Sequence, residues 1–146
     1  MASQHIVYFG LGSNLGDRQA NLVEAIQSLR GQVHVDRLSS VYETEPAYVT
    51  EQPRFLNMVA VFAPRPGLTP RALLQLLRAI ETAHGRTHDV PQGPRTLDLD
   101  LLMFGEQVVF EPDLVVPHPR MGHRPFVLVP LLELLGTGAV TPLRDT

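Results

Sequence analysis

Cysteine is absent from this chain of 146 residues. That excludes disulfides, thiolate nucleophiles and Cys-ligated zinc. Lysine is absent too, so all 12 basic residues are arginine. This removes a Walker P-loop, whose Lys reaches the phosphates, and Schiff-base chemistry on Lys. Any anion site must therefore use Arg, His or backbone N–H groups. No apolar run approaches the roughly 20 residues of a membrane span. The N-terminal Met1-Ala2-Ser3-Gln4-His5 lacks the charged and apolar regions of a signal peptide. A cytoplasmic location without a membrane partner is expected. Excess positive charge is missing as well: the formal net charge is −3, against the basic face that nucleic-acid binding needs. A hydrophobic fraction of 44% and a charged fraction of 18% read as an ordinary globular domain. The length predicts a single domain over 1–146.

Along the chain, residues 5–11 read as a buried strand ending between Gly10 and Gly12. Asp17 is placed to cap a helix in which Leu22, Ala25, Ile26 and Leu29 recur at helical spacing up to Gly31. Residues 33–42 return as a strand, 43–54 form a polar loop, and Phe55–Phe62 is a further strand. Thr69-Pro70 marks an N-cap and first helical position, and Leu73, Leu74, Leu77 and Ile80 carry that helix to Gly85. A second loop spans 86–94, a strand begins near Thr96, a short hairpin lies near Gly105, and a last helix covers about 125–135. The order β-α-β-β-α-β predicts an α+β, ferredoxin-like (split βαβ) antiparallel sheet. Helices would pack on one face, and the two loops would cover the other as active-site loops.

The strand after the second loop carries the most chemistry. Leu97, Leu99, Leu101 and Met103 alternate with Thr96, Asp98 and Asp100. One face needs a core; the other presents two carboxylates pointing the same way. Charges that close repel unless a cation lies between them. Hard oxygen ligands on a rigid strand suit Mg²⁺, which leaves its other positions to water and phosphate. Arg95 sets a phosphate-binding fork beside that pair. A solvated acidic edge is the plain alternative.

Other constellations are weaker alone. Gly12-Ser13-Asn14-Leu15-Gly16 reads either as an anion-binding turn or as a strand-to-helix turn that needs small residues. Phe55 and Asn57 share a strand face and would suit a flat heterocycle, or serve as core Phe and surface Asn. Phe126 alone reads as core. Glu81 borders the apolar stripe of its helix and reads as solvated or as part of a site. His118, Arg120, His123 and Arg124 form a cationic cluster, suited to phosphate or simply solvated. Metal, cationic clamp and aromatic planes are the parts that phosphoryl-type transfer from a nucleotide requires.

With these residues in place, the chain resembles the 6-hydroxymethyl-7,8-dihydropterin pyrophosphokinase family of folate biosynthesis. The matching segments are Leu11 to Gly16, Tyr42-Glu43-Thr44, Phe55-Leu56-Asn57, Gly85-Arg86, Gly93 to Leu102, Val116-Pro117-His118 and Arg124-Pro125-Phe126. They follow the family order over nearly the whole chain. The resemblance implies transfer of pyrophosphate from ATP to the pterin hydroxymethyl group, with release of AMP. It implies two Mg²⁺ ions held by Asp98 and Asp100, with Arg86 and Arg95 stabilising the transferred group. It further implies ATP contacts from Arg78, Glu81, His118 and Arg124. Phe55 and Phe126 would sandwich the pterin, and Thr44, Asn57 and backbone near Ala47 would bond its edge. The protein would act as a monomer or weak homodimer. A non-catalytic pterin- or nucleotide-binding domain on the same scaffold is the alternative reading. This chain departs from the pattern in the second loop, where His88 and Asp89 replace further basic residues, and at Asp113, where some members carry Arg.

Overall fold

The computed structural model describes residues 6–45, 52–85, 96–121 and 125–135, with positions 125 and 126 described by backbone alone. The elements in chain order are β1 (Val7–Ser13), α1 (Arg18–Arg30), β2 (His34–Leu38), β3 (Tyr42–Thr44), β4 (Phe55–Ala63) and α2 (Pro70–Ala83). They continue with β5 (Asp98–Phe104), β6 (Val109–Glu111), β7 (Leu114–Val116) and α3 (Pro125–Leu135). The central sheet runs β2-β4-β1-β5 with every pairing antiparallel, and β3 extends the β2 edge by pairing with the start of β4. This is the α+β, ferredoxin-like sheet expected from the element order. No described helix is long and apolar enough to cross a membrane.

The caps form where the residues predict them. The Asp17 carboxylate accepts from the Ala20 N–H at 3.1 Å, and the Thr69 hydroxyl accepts from the Ala72 N–H at 3.1 Å, with Pro70 next in line. Each satisfies an N-terminal donor that the helix itself leaves open. Leu22, Ala25, Ile26 and Leu29 of α1 and Leu73, Leu74, Leu77 and Ile80 of α2 are buried on one face of the sheet. Val7, Phe9 and Leu11 of β1 meet them there, with Leu97, Leu99 and Leu101 from and just before β5.

The strand expected over 33–42 is split into β2 and β3, and β3 takes in the first two residues of the loop expected from 43. Two further expectations change. First, α1 and α2 share one face, but α3 lies on the other. Val127, Leu131 and Leu134 of α3 pack on Val59, Val61 and Leu102 in a second, smaller core. The open face is therefore partly covered by a helix; of the two loops expected to cover it, 46–51 and 86–95 lie outside the described residues. Second, the alternation of β5 breaks after Leu101. Tyr8 pairs with Met103 and Phe9 with Leu101, so Leu102 is the extra residue of a β-bulge. Leu102 and Met103 both turn toward α3, and only Phe104 rejoins the larger core. The bulge has a use: the Leu102 carbonyl accepts from the His118 N–H at 2.8 Å. This hooks the segment after the cis Val116–Pro117 bond onto β5.

The short hairpin forms between β6 and β7. Arg71, at the start of α2, pairs with both Glu111 and Asp113, the latter at 2.7 Å. Asp113 is thus the partner of an arginine, whose hydrogen bond holds its carboxyl below the usual range.

Candidate active site

Asp98 and Asp100 stand on β5 opposite two glycines of β1. The register pairs Asp98 with Gly12 and Asp100 with Gly10. Gly12 pairs on its other side with Asn57 of β4. The two carboxylates, the bare glycine strip and Asn57 therefore share one floor, closed at one side by Val127 of α3. Glycine at alternate positions of a strand signals close approach by another group, and here the need is measurable. A Cβ on Gly12 would lie 2.9 Å from Asn57 Oδ1 and 3.5 Å from Phe55 Cδ1. Asn57 has little room to yield, being 7% exposed, with its Nδ2 donating to Thr44 Oγ1 at 2.5 Å. Gly12→Ala is therefore expected to displace Asn57, at a cost of about 1–3 kcal/mol from overpacking. Thermal unfolding checks this; an unchanged melting temperature would show that Asn57 yields to the added methyl group without cost.

The backbone between the two aspartates is gripped from outside the sheet. β5 is an edge strand, so the Leu99 N–H and C=O point away from β1 and need other partners. Glu81 of α2 supplies one: its Oε2 accepts from the Leu99 N–H at 2.7 Å. Arg78 supplies the other, donating to the Leu99 carbonyl at 3.0 Å and to Glu81 Oε1 at 2.6 Å. Glu81 is 2% exposed. Helical spacing from Leu77 put Glu81 at the border of the apolar stripe, and that is why it reaches the sheet edge. Its side chain lies beneath the carboxylate-bearing strand. The carboxylate oxygens serve Leu99 and Arg78, so its described contacts make it a support for Asp98 and Asp100.

The turn after β1 resolves in favour of local structure. Asn14 is buried, and its Nδ2 donates to Gln52 Oε1 at 2.8 Å and to the Pro53 carbonyl at 3.0 Å. Asn21 Nδ2 donates to Ser13 Oγ and to the Leu15 carbonyl, and Gly16 takes the left-handed conformation with φ 75°. The Asn14 bonds anchor Gln52 and Pro53 just ahead of Phe55. Arg18 adds to the anchor, donating to Glu43 Oε2 at 2.8 Å and to the Arg54 carbonyl at 2.9 Å.

Of the other candidates, His118 is held near β5 through Leu102, and its Nδ1 accepts from the Arg120 N–H at 3.2 Å. Phe126 lies in the first turn of α3 and is described by backbone only. Ala47, Arg86, Arg95, His123 and Arg124 lie outside the described residues. Sequence reasoning passed over two features here. One is the glycine strip, whose signal was the alternate spacing of Gly10 and Gly12. The other is Glu133 of α3, which accepts from the Ser40 N–H and hydroxyl and from the Tyr42 hydroxyl and which nothing in the sequence marked.

Among the described residues no cluster of three or more His, Cys, Asp or Glu is placed to hold a metal. Two adjacent carboxylates over a strip with no opposing side chains are the donor set that fits Mg²⁺, and they leave room for phosphate oxygens.

A family model described as 7,8-dihydro-6-hydroxymethylpterin-pyrophosphokinase (HPPK) matches residues 8–136. The chain belongs to this family. The HPPK match includes the glycine strip, Asn57, both aspartates and all of α3. A Bacillus subtilis 2-amino-4-hydroxy-6-hydroxymethyldihydropteridine pyrophosphokinase is 45% identical over 132 residues, covering 89% of this chain and 78% of that protein. A mitochondrial folate synthesis bifunctional protein of Pisum sativum is 48% identical over 132 residues, covering 90% of this chain. The chain spans about a quarter of the length of that and similar plant relatives, 25% in the Pisum protein. A solved structure of a Plasmodium falciparum HPPK-DHPS protein is 15% identical, covers 84% of this chain and 38% of that one, and superposes with a TM-score of 0.61. That likeness speaks for the fold alone.

Proposed function

We propose that this HPPK chain transfers the terminal pyrophosphate of ATP to the hydroxymethyl oxygen of 6-hydroxymethyl-7,8-dihydropterin and releases AMP. One observation carries the reading: Asp98 and Asp100 lie side by side with Asn57 across the bare Gly10–Gly12 strip. Asp98 and Asp100 would hold two Mg²⁺ ions, which when bound neutralise triphosphate charge. The pterin oxygen bonds to the β-phosphorus, the bond from that phosphorus to the oxygen retained by AMP breaks, and the hydroxyl proton is released.

The chain's own groups orient the partners. Asn57 and Thr44, already joined at 2.5 Å, present an amide and a hydroxyl to the pterin edge, with backbone near Ala47. Phe55 and Phe126 supply planes for the ring. Arg86 and Arg95 stabilise the transferred group and the leaving AMP, and His118 and Arg124 hold phosphates of ATP. Arg78 is half-exposed beside β5 and keeps one side toward the nucleotide while bonding Leu99. No covalent intermediate is needed, so no nucleophilic side chain is required.

The test is AMP release from ATP, with and without the pterin, over a series of Mg²⁺ concentrations. Pterin-dependent, Mg²⁺-dependent AMP is expected. Tight pterin binding with no AMP would overturn the reading in favour of a binding domain.

A further inference from the structure

On the far side of the sheet from α1 and α2, the last turn of α3 carries an acid. A carboxylate at a helix C-terminus opposes the macrodipole, so Glu133 is a costly choice unless something else requires it. Its partners lie in the segment that leads into β3. Glu133 Oε1 accepts from the Tyr42 hydroxyl at 2.6 Å and from the Ser40 N–H at 3.0 Å, and Oε2 accepts from the Ser40 hydroxyl at 2.9 Å. Next to it, Arg37 donates to the Leu134 carbonyl at 2.8 Å, which satisfies a C-terminal helix acceptor. Ser39 fixes the same segment to β4: its hydroxyl accepts from the Val59 N–H and its own N–H donates to the Val59 carbonyl, both at 2.8 Å.

Each side of this clasp leads to the pterin half of the site. Tyr42 is 3% exposed and pairs in register with Asn57, and two residues on Thr44 accepts the Asn57 bond. On α3, Val127 walls the floor that holds Asn57, Asp98 and Asp100. Position 126 lies in the first turn of the same helix, two turns before Glu133. The aspartates sit on β5, where Glu81 and Arg78 of α2 grip Leu99 between them.

We propose that Glu133 is a positioning residue for pterin binding. By docking α3 onto residues 40–42 it sets the gap between the Asn57–Thr44 pair and the start of α3. The proposal rests on the reading of this chain as a pterin pyrophosphokinase and adds a residue that touches neither substrate.

The test compares the wild type with Glu133→Gln, Tyr42→Phe and the double variant. Tyr42→Phe removes one hydroxyl and keeps the buried ring, so it folds even where Glu133→Gln is poorly tolerated. Steady-state kinetics give KM for the pterin and kcat; a non-hydrolysable ATP analogue gives the nucleotide Kd. Each single variant is expected to raise the pterin KM about five- to tenfold, with kcat and nucleotide Kd within about twofold of wild type. The double variant should be no more than about twofold worse than the worse single, because both substitutions break one clasp. A lower melting temperature with an unchanged pterin KM would overturn the proposal, since the clasp would then serve stability alone. Equal losses for pterin and nucleotide would overturn it as well. If the wild type itself makes no pterin-dependent AMP, the functional reading fails; if the wild type is active and the variants match it, only the Glu133 proposal fails.

Discussion

Asp98→Ala and Asp100→Ala are each expected to lower kcat by on the order of a thousandfold or more. The loss corresponds to several kcal/mol of charge stabilisation at about 1.36 kcal/mol per tenfold. Folding should survive. Both aspartates are half-buried on the face opposite the main core, while Leu97, Leu99 and Leu101, which hold the strand, are at most 4% exposed. The metal-free variants should therefore keep the wild-type circular dichroism spectrum. Added Mg²⁺ gives a second readout: it should raise the melting temperature of the wild type through preferential binding to the native state, and fail to do so in either variant. Turnover at the wild-type rate in either alanine variant would overturn the proposed Mg²⁺-holding role of these residues. An unchanged Mg²⁺ effect on stability would do the same.

The readable part of this site was the part written in local pattern. Alternation along 96–101 put both aspartates on one face, and that held up to the residue where the bulge begins. Capping by Asp17 and Thr69 was legible because each cap is satisfied within four residues of sequence. The bulge at Leu102 was not legible. Leu101-Leu102-Met103-Phe104 is apolar throughout, and both faces of the sheet are cores at that point, so periodicity carries no sign of which residue is extra. The placement of α3 was hidden for a related reason. Phe126 to Leu135 is apolar on nearly every side, with Glu133 the one charge, so no stripe told which face of the sheet it would cover. Partners distant in sequence settled both: His118 for the bulge, and Ser40 with Tyr42 for Glu133.

Glu81→Ala should have the second largest effect, and it separates two roles for that residue. The resemblance implied an ATP contact; the geometry makes Glu81 a support of the strand between Asp98 and Asp100. Alanine removes the acceptor of the Leu99 N–H and leaves that group buried without a partner, at about 1–3 kcal/mol. For a domain of this size that lowers the melting temperature by about 3–10 °C. Arg78 loses its carboxylate as well, but it is half-exposed and water takes over part of its hydrogen bonding. The larger consequence is kinetic. With the outer grip on Leu99 released, the aspartates shift together, and a misplacement on the scale of 1 Å costs roughly a hundredfold. We expect kcat to fall about thirty- to a hundredfold, while the pterin KM stays within about threefold because Asn57 and Thr44 belong to another strand pair. Glu81→Gln keeps one acceptor for Leu99 and should recover most of the stability and part of the rate. A raised ATP KM with normal kcat and normal melting temperature would instead make Glu81 a nucleotide contact. A lower melting temperature with normal kcat would confine it to the fold, and β5 would then hold its aspartates in place without help from α2.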